Sequence, residues 1–271
     1  MTTSEQPHRD DEFNTPVLLR ADTGHVCTLT LNRPGKFNSL SEELLDTLQT
    51  TFDDLSEDKD IRVIILAGNG KAFCAGHDLK EMRANPDREY YKYLFKKCSA
   101  MMMTMIRLPQ PVITRVHSVA AAAGCQLVAN ADMAVASTDS TFGTSGINVG
   151  LFCMTPSVAL SRNVARKHAF EMLFSGDIIT AERALDIGLV NRVVAPEKLD
   201  EAVDEFAQSI LGKSQAAIAA GKKFFYRQLE VGIEDAYAYA SEEMACNMMF
   251  HDAGEGIDAF IGKRPPVWRH K

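Results

Sequence analysis

Two stretches bring small residues to the start of a helix directly after an apolar strand. They are Lys71-Ala72-Phe73-Cys74-Ala75-Gly76-His77-Asp78-Leu79-Lys80-Glu81-Met82 and His117-Ser118-Val119-Ala120-Ala121-Ala122-Ala123-Gly124-Cys125-Gln126. Small side chains let a ligand approach the backbone, and the N–H groups at a helix start can face it. Two such N–H groups converging on one point would stabilise an oxyanion. The plainer reading, tight packing of helix on strand, is the commoner use of Ala and Gly there. A third stretch, Ser140 to Ser161, carries no charge and is broken by Gly143, Gly146, Gly150 and Pro156. It reads either as irregular buried backbone beside a pocket or as an ordinary buried connection. Cys125 and Cys153 have no base beside them in sequence, and a thiol without one is inert packing. His25, His117, His168 and His251 belong to no pairing motif and read as structural.

The elements that must position these stretches follow from spacing. Val17–Leu19 and Val26–Leu31 read as a hairpin turning at Asp22-Thr23-Gly24. Ser39 with Glu42 is a capping box for a helix whose Leu44, Leu45, Leu48, Phe52 and Leu55 share one face. Val63-Ile64-Ile65-Leu66 is apolar throughout, as in a strand covered on both faces of a parallel sheet. Residues 88–107 read as a helix, with Met101, Met102, Met103 and Met105 as core filling. Pro111–Val116 and Met133–Ala136 are strands around a small-residue helix at Ala120–Asn130. Thr155-Pro156 reads as an N-cap and first-turn proline. Helices are expected near 156–172, 181–187, 197–211, 215–230 and 234–250. The pattern is an α/β core followed by a helical region.

The chain has 271 residues, 46% hydrophobic and 24% charged, which gives a globular protein with a large core. A net charge of −7 argues against nucleic acid as the main partner. It leaves room for a few lysines around a small phosphorylated ligand. The six cysteines include no C-x-x-C and no zinc spacing. No metal is expected, and the cysteines read as reduced thiols of a cytoplasmic protein. Residues 1–15 are polar and acidic, and read as a frayed tail without a targeting segment. No stretch reads as a membrane span.

Taken together these motifs resemble those of the crotonase superfamily, the enoyl-CoA hydratase/isomerase family, from about residue 16 to 269. The resemblance rests on Leu31-Asn32-Arg33-Pro34 with Asn38-Ser39-Leu40, Phe73 to Leu79, Ala121 to Cys125, Ser175-Gly176, and Ala184 to Asn191. The wording of Gly76 to Glu81 and Val149 to Cys153 is closest to its domain-containing protein 3 subgroup. The resemblance implies a ββα spiral core over 16–195 that holds an acyl-CoA thioester. It also implies an α-helical trimerisation region over 196–271, in a homotrimer or a dimer of trimers. Coenzyme A enters as part of the substrate, with no separate cofactor. The oxyanion donors carry over to the backbone N–H groups of His77 and Ala123. CoA contacts carry over to Lys36, Phe37, Ala75, His77, Asp78, Leu79 and Lys80, and to Phe260 and Lys263 from a neighbouring subunit.

One departure matters. Hydratases of this family add water with two glutamates, and the matching positions here are Gln126 and Gly146. Glutamine cannot take a proton and glycine offers nothing. Acid–base work of this kind contributes roughly 10²–10⁴-fold, so hydration is expected to be weak or absent. Three readings follow: an acyl-CoA enzyme with altered chemistry, a base-free acyl-CoA decarboxylase using His77, or a non-catalytic acyl-CoA-binding protein. The His77 side chain reads either as structural or as facing the pocket.

Overall fold

The computed structural model describes residues 15–271. The expected tail therefore lies, except for Thr15, outside the described residues. The chain opens with β1 (Leu18–Thr23), β2 (Val26–Leu31) and α1 (Glu42–Glu57). β3 (Val63–Gly68), β4 (Ala72–Cys74), α2 (Leu79–Ala84) and α3 (Arg88–Arg107) follow, then β5 (Val112–Val116), β6 (Val119–Ala121) and α4 (Ala123–Asn130). β7 (Met133–Ser137), β8 (Thr141–Gly143), α5 (Met154–Asn163) and α6 (Arg166–Ser175) come next. β9 (Ile179–Thr180), α7 (Ala181–Asp186) and β10 (Arg192–Val194) complete the strands. The chain ends in α8 (Leu199–Leu211), α9 (Gln215–Gln228), α10 (Ile233–Met248) and α11 (His251–Ile261).

The strands form two sheets, in the orders β1-β2-β3-β5-β7-β10 and β4-β6-β8-β9. Each turn of the chain gives one strand to the large sheet, the next to the small sheet, and then a helix. β3-β4-α2, β5-β6-α4 and β7-β8-α5 are successive turns of this ββα spiral. β2 through β10 pair in parallel across the large sheet, and only the β1–β2 hairpin is antiparallel there. Both faces of the large sheet are covered, which is why Val63-Ile64-Ile65-Leu66 carries no polar residue. Ile64 and Leu66 join the main core with the α1 leucines, while Val63, Ile113 and Val135 pack on Leu199, Val203 and Ala207 of α8. Among the described residues no helix is long and apolar enough to cross a membrane.

Several local expectations are corrected. The hairpin turns at Gly24-His25, because Asp22 and Thr23 still pair with Cys27 and Val26. α1 is capped by Ser41, whose hydroxyl accepts from the Leu44 N–H at 3.3 Å. Ser39 is instead held by Arg33. Pro156 sits inside the first turn of α5, which starts after Cys153 rather than at Thr155. The helix expected over 156–172 is two helices, broken at Val164-Ala165. The helix expected over Ala120–Asn130 starts only at Ala123, because Ala120 and Ala121 belong to strand β6, and α11 was not foreseen. Met103 is 41% exposed, whereas Met101, Met102 and Met105 are core residues.

Candidate active site

The first candidate segment leaves β4 and runs along residues 37–40. Ala75 N–H donates to the Phe37 carbonyl at 3.0 Å, Leu40 N–H to Gly76 at 2.8 Å, and Asp78 N–H to Leu40 at 3.1 Å. In extended backbone successive N–H groups point to opposite sides, so that of His77 faces away from Leu40. Arg33 braces this arrangement. It donates to the Ser39 carbonyl and, at 3.1 Å, to Asp78 Oδ2. The other Asp78 oxygen caps α2, accepting from Lys80 N–H at 3.1 Å and Glu81 N–H at 3.3 Å. Both oxygens of Asp78 are thus engaged within the protein.

The second segment is α4 and the residue before it. Ala122 has φ 49° and ψ −116°, a combination that costs a non-glycine residue roughly 1–3 kcal/mol. Its N–H donates to the Gly143 carbonyl at 2.8 Å. Its strained ψ sets the direction of the next N–H, that of Ala123, which opens α4 and has no intrahelical acceptor. The two segments touch. Gly76 adopts φ 96°, and a Cβ there would lie 2.9 Å from the Ala122 methyl and 3.2 Å from the Ala123 nitrogen. The chain therefore brings the neighbourhoods of the His77 and Ala123 N–H groups together, as an oxyanion site requires.

The side chains around this point are unusual for their lack of partners. The His77 ring packs edge-on against Phe95, with centroids 5.4 Å apart, and among the described residues its nearest polar neighbour is the Leu40 backbone, too poorly aligned for a regular hydrogen bond. Burial lowers its pKa to about 4, so the imidazole is neutral at pH 7. Gln126 lies on the first turn of α4, 5% exposed, and its Oε1 has no partner among the described residues. Gly146 follows β8 in a 3-10 turn whose end is fixed by the Leu151 N–H, which donates to the Gly146 carbonyl at 2.9 Å. A Cβ at 146 would lie 2.6 Å from the Leu151 carbonyl oxygen and 2.8 Å from Cys153 Sγ. Cys125 and Cys153 are buried; burial pushes the Cys125 thiol up to about 12 and raises that of Cys153. Both read as packing.

His77 makes stability depend on pH. Its folded pKa lies below the unfolded value near 6.5, so between these values the unfolded chain binds more protons and stability falls as pH falls. Above pH 6.5 there is no effect. At pH 5 the loss should be about 2 kcal/mol, at 1.36 kcal/mol per unit. His77→Phe should shed that component, read as a smaller drop in Tm between pH 7 and 5. An equal drop in both proteins would assign the acid lability to another group.

The expected CoA-contact residues fall in two places. Lys36, Phe37, Ala75, Leu79 and Lys80 are exposed along the first segment, and the side chains of Lys36 and Lys80 form no ion pair among the described residues. Phe260 and Lys263 stand at the end of α11, which packs on α9 and α10. Phe260 is 85% exposed. The structure does not bring this pair to the segment residues within one chain. Two open clefts, of about 370 and 310 Å³, also lie elsewhere, one against α9 and one under α8. The site is defined by backbone geometry rather than cavity size. Sequence reasoning missed Thr144 and Phe95. Thr144 is fully buried, and its hydroxyl has no partner among the described residues. A lone threonine in an uncharged loop gives no signal of this kind.

A spiral of ββα turns with two abutting N–H segments defines a protein class, and the comparisons agree with it. Residues 22–271 match the enoyl-CoA hydratase/isomerase family. The chain belongs to that family. Within it, the chain is 45% identical to the human enoyl-CoA hydratase domain-containing protein 3, mitochondrial, over 91% of this chain and 81% of that one. The crystal structure of that human protein superposes with TM-score 0.90 at 42% identity, covering 93% of this chain and 100% of the other. An enoyl-CoA hydratase structure from Mycobacterium smegmatis gives TM-score 0.92 at 57% identity, over 94% and 99% of the two chains.

Proposed function

We propose that this protein binds an acyl-CoA and polarises its thioester carbonyl between the backbone N–H groups of His77 and Ala123, with hydration weak or absent. The contact of Gly76 with Ala122 and Ala123 is the observation that carries the reading. Lys36 and Lys80, exposed beside the first segment and without ion pairs among the described residues, suit the CoA phosphates. Neither Gln126 nor Gly146 can act as a base, and the turn at 146 leaves no room for a longer side chain. Decarboxylation of a carboxylated acyl group has less support. The His77 imidazole is neutral, and Arg33 is already bound to Asp78 and Ser39.

The test is crotonyl-CoA hydration together with calorimetric acyl-CoA binding on the same sample. Binding with hydration at least about 10²-fold below an active hydratase is the expected result. Gln126→Glu alone should raise hydration little, because no second carboxylate faces it. Adding Gly146→Glu should fail for a different reason: its Cβ collides with the Leu151 backbone. Strong hydration by the unaltered protein would overturn the reading of both positions. Binding without any turnover would leave an acyl-CoA-binding protein that is not an enzyme.

A homotrimer or dimer of trimers is proposed for the assembly. It is supported by exposed apolar residues on two faces, such as Met154, Val158 and Phe174 on α5 and α6, and Phe225, Tyr237 and Phe260 on α9 to α11. All six cysteines are unpaired. This fits a reducing compartment. The human relative carries "mitochondrial" in its name, which does not match the cytoplasmic expectation; free thiols are compatible with either.

A further inference from the structure

We infer that Arg33 is a positioning residue of the oxyanion site: through two peptide groups it aims and polarises the His77 N–H, a role that rests on the acyl-CoA reading above. The Arg33 guanidinium donates to the Ser39 carbonyl and to Asp78 Oδ2. The peptide joining Ser39 to Leu40 is trans and planar, so its N–H points away from that carbonyl. This N–H donates to the Gly76 carbonyl at 2.8 Å. The peptide joining Gly76 to His77 is the next in line. Its N–H is the first of the two proposed donors, and no residue among those described accepts from it. A chain of hydrogen bonds therefore runs from the guanidinium, through two peptides, to the place where the thioester oxygen would sit. Bonds linked in this way polarise one another, and a charge at the head strengthens the donor at the tail.

The two proposed donors differ in what stands behind them. Behind Ala123 is α4, an eight-residue helix that turns the positive end of its dipole outward at this residue. The Ala122 carbonyl accepts from Gln126 N–H at 3.0 Å inside that helix. Behind His77 is α2, with six residues and the Asp78 carboxylate already on its positive end. The first donor has no comparable helix to strengthen it, and the chain through its own carbonyl leads to Arg33 instead. The Arg33 side chain is 17% exposed and that of Asp78 14%, so solvent screens the charge only in part, and Asp78 balances some of it. The planar fork matters as well. Nη1 serves Ser39 and Nη2 serves Asp78, the two residues on either side of the bridge between Leu40 and His77. Asp78 N–H donates in turn to the Leu40 carbonyl at 3.1 Å, which closes the frame around His77.

The experiment is infrared difference spectroscopy of butyryl-CoA, isotope-labelled at the thioester carbonyl and bound at saturation to the unaltered protein and to Arg33 variants. In the unaltered protein the carbonyl stretch should move to lower frequency than in water. Arg33→Met should lose about a quarter or more of that displacement, at roughly 10–30% for each relayed bond. Arg33→Lys keeps the charge and a donor and should recover part of it. The readout comes from bound ligand alone, so a change in affinity does not move it. If Arg33→Met does not fold, Arg33→Gln takes its place, because it keeps a donor for the Ser39 carbonyl without the charge. Equal displacement in the parent and the uncharged variant would overturn the relay and leave the oxyanion reading standing. Arg33→Lys as impaired as Arg33→Met would assign the effect to the shape of the turn and overturn the relay too. If the unaltered protein does not displace the carbonyl at all, the oxyanion reading falls and the role of Arg33 falls with it.

Discussion

Gly124→Ala is expected to separate the two halves of the candidate site and to cost about 3 kcal/mol or more. A Cβ at 124 would stand 2.0 Å from the carbonyl oxygen of Cys74, 2.7 Å from its carbonyl carbon and 2.8 Å from its Cβ. Two of these three atoms are backbone of β4, so no side-chain rotation relieves the clash. Either α4 lifts from β4 or β4 moves, and each shift takes one N–H group away from the other. Stability by urea denaturation should fall, and any folded fraction should lose the polarisation of a bound thioester, read as loss of the absorbance shift of a conjugated acyl-CoA. Gly221→Ala is the control. It lies inside α9 with nothing within 4 Å of the added carbon, and alanine there should stabilise by about 0.5–1 kcal/mol. A Gly124 variant as stable as the parent would mean that the packing of α4 on β4 is looser than its geometry states.

Lys222→Ala should be as damaging, for an electrostatic reason, at about 3–5 kcal/mol. The Lys222 ammonium reaches from α9 into the core and donates to Asp132 Oδ2 at 2.7 Å, the Gln110 carbonyl at 2.9 Å and the Met105 carbonyl at 3.2 Å. Asp132 also accepts from Val112 N–H at 2.7 Å and from the Tyr226 hydroxyl at 2.9 Å. The Lys222 side chain is 7% exposed and that of Asp132 16%. Burial alone lowers the Lys222 pKa, and the neighbouring Asp132 opposes that. All three ammonium protons are used, so the pair is well satisfied. The large effect comes from leaving the Asp132 charge buried without a cation. Tyr226→Phe, which removes one neutral donor, should cost only about 1 kcal/mol. Lys222→Met with Asp132→Asn should recover much of the loss, because both charges leave together. If Lys222→Ala were silent in thermal unfolding, α9 would be held to the core by its apolar face instead.

Much of the fold was legible because its signals are local. The α1 leucines and Phe52 recur at helical spacing, and all are fully buried. The continuous apolar run at 63–66 could only suit a strand covered on both sides. α3 spans the stretch that its periodicity predicts. The small sheet was not legible. Its strands have two or three residues each, too few to show a period, and they exist because each is paired by a neighbour from another turn of the spiral. The caps shifted for a similar reason. Ser39 has the right side chain for an N-cap, but Arg33 claims it, and Ser41 takes the role.

The sequence by itself determined which groups are present and which are missing: Gly and Ala at both N–H segments, and no acid at 126 or 146. These are facts of residue type, and residue type alone limits proton transfer. Only the tertiary structure decided the rest. It set Gly76 against Ala122, tied Arg33 to Asp78 across 45 positions, and closed the turn at 146 over the space a side chain would need. It also left Gln126 Oε1 and the Thr144 hydroxyl buried without a partner among the described residues. Hydrogen-bond satisfaction is a property of what surrounds a group, and those surroundings come from segments far apart in the chain.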